Sequence, residues 1–104
     1  MGTLTILAMC VLATGPDCTA DAGAQCVNEG LKRFQSNPPD VTGAARFWAA
    51  ACNAGHKLGC TNLGAMYVEG YIEGKGHEAA KPWLESGCKL GDGRACRYQG
   101  QLLF

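Results

Sequence analysis

The sequence predicts an all-α fold, an array of helical hairpins stapled by cysteines, on three observations. Six of the seven cysteines form pairs with seven residues between partners: Cys18 and Cys26, Cys52 and Cys60, Cys88 and Cys96. The pairs recur after 34 and then 36 residues, a period that belongs to helical repeat arrays. Between them the chain is rich in alanine, with apolar residues at helical spacing. The second shift carries more than cysteines, since it places Gly55 on Gly91, Gly64 on Gly100, Ala44 on Ala80 and Phe47 on Trp83.

Taken in order, Leu4 to Thr14 is nearly unbroken apolar and ends at Gly15 and Pro16. Its length suits a signal h-region and is too short to span a bilayer, so residues 1–16 are expected to be a signal-like segment and 17–104 the repeat domain. The Lys or Arg usual ahead of such a segment is missing, and a buried first helix with Cys10 as an ordinary apolar residue is the competing reading. Leu7, Ala8, Met9 and Cys10 also resemble a bacterial lipoprotein box, which would anchor the chain to a membrane through lipid on Cys10, although Met9 stands where a small residue is usual.

Ala22 to Gln35 reads as the degenerate first copy of a helix that recurs as Leu58 to Glu69 and Arg94 to Leu103. In the first shift Asn62 falls on Asn28 and Gly64 on Gly30, but Leu63 falls on Glu29 and Tyr67 on Arg33. Thr42 to Asn53 and Glu78 to Leu90 are the other kind of helix. Ala44, Phe47, Trp48 and Ala51 make one stripe facing a neighbour. Asn37, Pro38, Pro39 and Asp40 break one link; Gly70, Gly74 and Gly76 break the other. Pro82 conflicts with its helix unless that helix starts as late as Ala79 or Ala80, because proline removes an internal hydrogen bond.

Composition excludes one function class. Nine Lys and Arg balance nine Asp and Glu, without a run of like charge, so the basic footprint of a nucleic-acid binder is missing. Seven cysteines in 104 residues read as a disulfide framework in an oxidising compartment. Zinc sites favour Cys-x-x-Cys, which is absent, and His56 and His77 are not set in a ligand motif, so neither a metal nor another cofactor is expected.

Within one continuous helix, eight residues would separate paired Cα atoms by roughly 12 Å, beyond the roughly 7 Å limit of a disulfide. Bonding within a pair therefore needs a chain reversal between its cysteines. Gly55 and Gly91 stand at the same offset to end the preceding helix, and Asp21 holds that offset in the first pair. Asp21 or Asp92 would also cap the helix that follows.

Leu63, Gly64, Tyr67, Gly70, Gly74, Gly76, Ala80 and Trp83 resemble the repeat pattern of the Sel-1-like family of tetratricopeptide-type helical hairpins. With the paired cysteines, the resemblance is to its cysteine-rich secreted branch, typified by the Helicobacter cysteine-rich proteins, and it runs from Cys18 to the end. Gly76 stands where an Asp is usual before the second helix, although Asp40 keeps that Asp in the previous unit. The resemblance implies an α/α superhelix, here of about two and a half hairpins, with a disulfide inside each Cys-x(7)-Cys pair. The expected bonds are Cys18 to Cys26, Cys52 to Cys60 and Cys88 to Cys96, leaving Cys10 single. Each closes a nine-residue loop, worth about 2.6 kcal/mol in the chain-entropy model. The family serves mainly as a platform for protein contacts, so a protein partner in a secreted or periplasmic setting is implied. Some cysteine-rich members are described as penicillin-binding or weakly β-lactam-hydrolysing.

Ser86, Gly87, Cys88 and Lys89 do spell the S-x-x-K of serine β-lactamases, but the supporting S-D-N and K-T-G motifs are absent and Cys88 is committed to a staple. Gly74, Gly76 and Ala79 satisfy G-x-G-x-x-A without the strand a dinucleotide site requires. Nothing gathers acid, base and nucleophile, so no catalytic residue is expected and binding is favoured over catalysis. The chain stops at Phe104 inside a helix whose partner is missing, which predicts a partner-binding or homo-oligomerising apolar end formed by Tyr98, Leu102, Leu103 and Phe104.

Overall fold

In the structure, a computed structural model, residues 18–19, 22–72 and 76–102 are described. Five helices follow one another: α1 (Gly23–Phe34), α2 (Val41–Asn53), α3 (Lys57–Val68), α4 (His77–Lys89) and α5 (Gly93–Leu102). Each packs on its sequence neighbours, with lesser contact between helices one apart, which is the layout of stacked hairpins. The apolar segment 4–14 with Cys10, and also Asp21 and Gly74, lie outside the described residues.

The reversals rest on glycine. Gly55 and Gly91 adopt φ of 92° and 102°, the left-handed conformation in which a Cβ is strained. Around the first, His56 N–H donates to the Ala51 carbonyl and Gly55 N–H to that of Cys52. Around the second, Asp92 N–H donates to Gly87 and Gly91 N–H to Cys88. These are paired Schellman bonds, which satisfy the last carbonyls of a helix while turning the chain back. They bring Cys52 and Cys60 to a Cα separation of 4.6 Å and Cys88 and Cys96 to 4.7 Å; Cys18 and Cys26 stand 6.2 Å apart, and all three pairs are disulfide-bonded. Gly70, at φ 82°, ends α3 with the same bond pattern, from Tyr71 N–H to the Met66 carbonyl and from Gly70 N–H to that of Tyr67.

Helix starts use different chemistry. Asp40 caps α2 by accepting from Gly43 N–H at 2.9 Å, and Asp92 caps α5 by accepting from Arg94 N–H at 3.0 Å. Gly76 leads into α4 with no side-chain cap. That helix begins at His77, earlier than Pro82 favours, so the proline sits inside it and one helical bond is forgone. Pro82 and Glu78, whose carbonyl loses that partner, are both exposed, and water is at hand to serve it.

Two core clusters result. Cys26, Val27, Ala44, Trp48, Ala51, Leu63 and Met66 bury together among α1, α2 and α3, while Ala80, Leu84 and Ala95 form the core of α4 and α5. Tyr67 packs against both. The Trp48 indole N–H, which must find a partner when buried, donates to the Val27 carbonyl at 3.0 Å. Phe47 is only half-buried and lies 5.0 Å from the Arg33 guanidinium, so the expected stripe is core at Ala44, Trp48 and Ala51 and a cation–π contact at its edge.

Glycine also sets how near the helices approach. A Cβ on Gly30 would collide with the Trp48 ring, and one on Gly64 with Leu84. Gly30 and Gly64 are equivalent by the 34-residue shift, Trp48 and Leu84 by the 36-residue shift, so one notch-and-knob joint is used twice, between α1 and α2 and between α3 and α4. Inside the stapled hairpins a second device appears. Gly59 of α3 lies against Ala51 of α2, and Gly87 of α4 against Ala95 of α5, so close that a Cβ on the glycine would stand 2.8 and 2.9 Å from the alanine methyl. Residue 51 is equivalent to 87 and 59 to 95, so each hairpin holds one glycine and one alanine with their places exchanged.

This predicts the sign of Gly59→Ala. Helix propensity alone would stabilise the variant by about 0.8–1 kcal/mol. The new methyl, however, would stand 2.6 Å from the Trp48 carbonyl oxygen and 2.9 Å from Cys52 N, both backbone atoms that cannot swing aside. Overpacking costs about 1–3 kcal/mol, so the thermal midpoint is expected to fall, and adding Ala51→Gly is expected to recover part of the loss. A raised midpoint in the single variant would show that the α2–α3 contact is not close-packed.

Candidate functional site

The repeat brings equivalent residues of α1, α3 and α5 onto one face. Asn28, Asn62 and Tyr98 occupy one repeat position, and Leu31, Ala65 and Gln101 another. Asn62 and Ala65 of α3 line two recesses at once. One, of about 200 Å³ on the α1 side, is walled by Leu31, Phe34, Trp48, Met66 and Tyr71. The other, of about 270 Å³ on the α5 side, is walled by Thr61, Arg94, Arg97, Tyr98 and Gln101. Because α3 side chains are common to both, the recesses form one groove, apolar at the α1 end and polar and cationic at the α5 end.

The apolar end is built from aromatics that fix one another. Phe34 meets Tyr71 edge-on, with ring centroids 5.0 Å apart, and stands 5.8 Å from Trp48. Leu31 and Tyr71 remain 41% and 52% exposed, large apolar surface that the core does not use. Arg33, behind this wall, pairs with Asp40 at 3.1 Å and ties the C-terminal end of α1 to the start of α2. The Gly43 N–H bond, then the Arg33 guanidinium, hold the Asp40 carboxyl below the usual aspartate range.

At the other end a buried polar node positions the cations. Asp92 is 8% and Thr61 1% exposed. Burial opposes ionisation of Asp92, but the Thr61 hydroxyl and the Arg94 side chain and backbone N–H outweigh it, and the carboxyl titrates below its ordinary value. The Thr61 hydroxyl, beside Asp92, donates to the Lys57 carbonyl at 3.1 Å. Arg94 reaches Asp92 Oδ2 at 3.3 Å, whereas Arg97 makes no ion pair among the described residues. The Tyr98 hydroxyl donates to Glu69 Oε1 at 3.4 Å, and burial followed by the Glu69 charge raises its pKa, so it stays a protonated donor at neutral pH.

The groove therefore offers hydrogen-bond donors, two guanidinium groups and an apolar wall, without a nucleophile set beside a base. Ser86 and Lys89 do not make one either: Lys89 Nζ pairs with Glu85 Oε1 at 3.2 Å, and Cys88 between them is disulfide-bonded. A third hollow, between α2 and α4, is walled by Val41, Ala45, Leu63 and Trp83. It borders Ile72, next to residues outside the described part.

Of the predicted partner-binding residues, Tyr98 lines the groove. Tyr98 and Leu102 are half-buried against the Ala80, Leu84 and Ala95 cluster, where α5 folds back onto α4. Leu103 and Phe104 lie outside the described residues. Sequence reasoning missed Arg94, Arg97, Ala65 and the Leu31–Phe34–Tyr71 wall. For Leu31 and Ala65 the available signal is positional, since they coincide with each other and with Gln101 on superposing the repeats.

Among the described residues no helix is long and apolar enough to cross a membrane, and no three His, Cys, Asp or Glu side chains gather as metal ligands. Three intrachain disulfides point to an oxidising, extracytoplasmic environment. Comparison with protein-family models, curated proteins and solved structures found no match.

Two outcomes follow. A group whose folded pKa is lowered contributes stability above its unfolded value and loses it as pH falls through the folded one. Asp92→Asn keeps the cap and removes the charge, so the variant is expected to be less stable than wild type at about pH 6, with the gap closing toward about pH 2. Asp40 titrates in both proteins and cancels; a gap that is constant with pH would remove Asp92 from this role. For Ser86, nitrocefin turnover is expected to be slow or nil and, if measurable, unchanged in Ser86→Ala.

Proposed function

We propose that the chain is a Sel-1-like, cysteine-rich repeat module, secreted or periplasmic, that binds a protein segment in the α1/α3/α5 groove. The observation that carries this reading is the groove itself: two recesses sharing Asn62 and Ala65, lined by repeat-equivalent side chains. A stack of hairpins presents such a surface without a deep catalytic pocket. The groove couples a rigid aromatic wall to adaptable polar groups, the combination that anchors protein contacts. The disulfide framework supports the extracytoplasmic setting, and the recurring cysteine and glycine positions support the family.

The test is site-specific photo-crosslinking in the envelope fraction and medium of expressing cells. A benzophenone amino acid is placed at Ala65, in the groove floor, or at Lys81, exposed on α4. A discrete adduct from position 65 and none from 81 is the expected result. No adduct at 65, or the same adducts from both positions, would sink the groove as the binding site.

A further inference from the structure

The three disulfides are not equally shielded. Cys52 and Cys60 are both buried, at 8% and 0% exposure, and Cys26 of the first pair is 7% exposed beside a half-buried Cys18. In the third pair Cys88 is half-buried against the Ala80, Leu84 and Ala95 cluster, and Cys96, near the start of α5, is exposed. A thiolate displaces a disulfide only by reaching one of its sulfurs, so access selects which bond exchanges. The same bond secures the helix with the least hold of its own. Ala95 is the one buried side chain of α5, whereas α2 buries four residues and α3 six. Of the successive pairs, α4 and α5 run least closely alongside each other. At ten residues α5 is also shorter than the about 12–15 that a helix needs to persist alone in water. With the staple open, the turn at residues 90–92 is its only covalent tether. This helix carries Arg94, Arg97, Tyr98 and Gln101, the polar wall of the groove.

We infer that Cys88–Cys96 is a thiol-exchange site at which an external dithiol opens the staple and releases α5. The incoming thiolate forms a bond to the exposed Cys96 Sγ, the Cys88–Cys96 bond breaks, and Cys88 leaves as a thiolate that takes a proton from water. The second thiol of the dithiol gives up its proton and attacks its partner sulfur in the mixed disulfide, so that Cys96 leaves in turn and is protonated. The cysteine pair has then gained two electrons and two protons, and the dithiol has become a disulfide. In an oxidising compartment the bond persists until such a dithiol reaches it, and the reverse exchange closes it again. The better-shielded staples keep α1, α2 and α3 in place, so the polar wall alone is lost. Release of α5 stands independently of the groove reading above, whereas its effect on binding rests on that reading.

The test treats the oxidised full chain with dithiothreitol for graded times under native conditions, quenches with iodoacetamide and maps the cysteines by mass spectrometry. Glutathione, a monothiol, is the probe that traps the first step. Cys88 and Cys96 are expected to be alkylated before the other four, and at least about tenfold faster than Cys52 and Cys60. Guanidinium chloride is expected to abolish the difference, and glutathione to be found on Cys96 rather than Cys88. Hydrogen exchange is then measured on the selectively opened chain and on Cys88→Ser/Cys96→Ser. The α5 amides are expected to exchange at least about tenfold faster, with α2 and α3 as protected as before. Either other staple opening as fast, glutathione on Cys88, or selective opening that leaves α5 protected overturns the inference. The photo-adduct from position 65 separates the two readings. Release of α5 in a protein that gives no adduct when oxidised sinks the groove reading alone. An adduct that opening leaves unchanged removes the α5 wall from the binding site, and loss of the adduct on opening is the result expected where both hold.

Discussion

Reversing the chain between two helices within eight residues is the constraint on which the rest of the molecule depends. It needs a residue that tolerates positive φ at the turn, supplied by Gly55 and Gly91, and partners for the carbonyls left over as each helix ends, supplied by the backbone N–H groups just beyond. Once the turn is that tight, the cysteines on either side fall within bonding reach and the helices are pressed together one turn further on. The exchanged Gly and Ala at 51 and 59, and at 87 and 95, are the packing answer to that closeness. A larger side chain at any of the four would push the helices apart at the place where the disulfide holds them in.

The interfaces alternate in kind. The stapled pairs, α2 with α3 and α4 with α5, run less closely alongside than α1 with α2 and α3 with α4, which no disulfide bridges and which instead interlock through Gly30 on Trp48 and Gly64 on Leu84. Two of the three disulfides thus stand at the looser of the joints between successive helices. The short stapled turns also aim α1, α3 and α5 to one side, so that Asn62 and Ala65 become the floor of a groove whose walls come from helices that scarcely touch each other.

Much of this fold was legible in the sequence. Alanine content and apolar spacing place all five helices, and the bounds agree to within a residue wherever the described residues extend past them. Most helices begin one residue earlier than apolar spacing places them, because their first residues, Lys57, His77 and Gly93, are exposed or polar and carry no apolar signal. Pro82 argues against an early helix start, yet α4 begins at His77. The lost bond is on an exposed face, and Ala80 and Leu84 bury fully on the other. The groove was far less legible. Repeats preserve what faces inward, glycine, alanine and cysteine, whereas Arg94, Arg97 and Tyr71 face outward and differ from copy to copy. Apolar spacing on α5 does not by itself say that Tyr98 and Leu102 half-bury against α4.

The alternation of staple and interlock has a mechanical side. Because each disulfide closes a loop inside its own hairpin or within the α1 unit, none of the three crosses from one unit to the next, and only the backbone joins them. A pull on the two ends therefore loads the glycine interlocks first, and resistance there is governed by how fast they unlatch rather than by overall stability. After they part, the staples still hold each turn shut, and the chain stretches into a string of closed knuckles that can relatch when the load is removed. In an oxidising, extracytoplasmic environment, where the disulfides persist, such a build limits how far a molecule can be undone before it recovers.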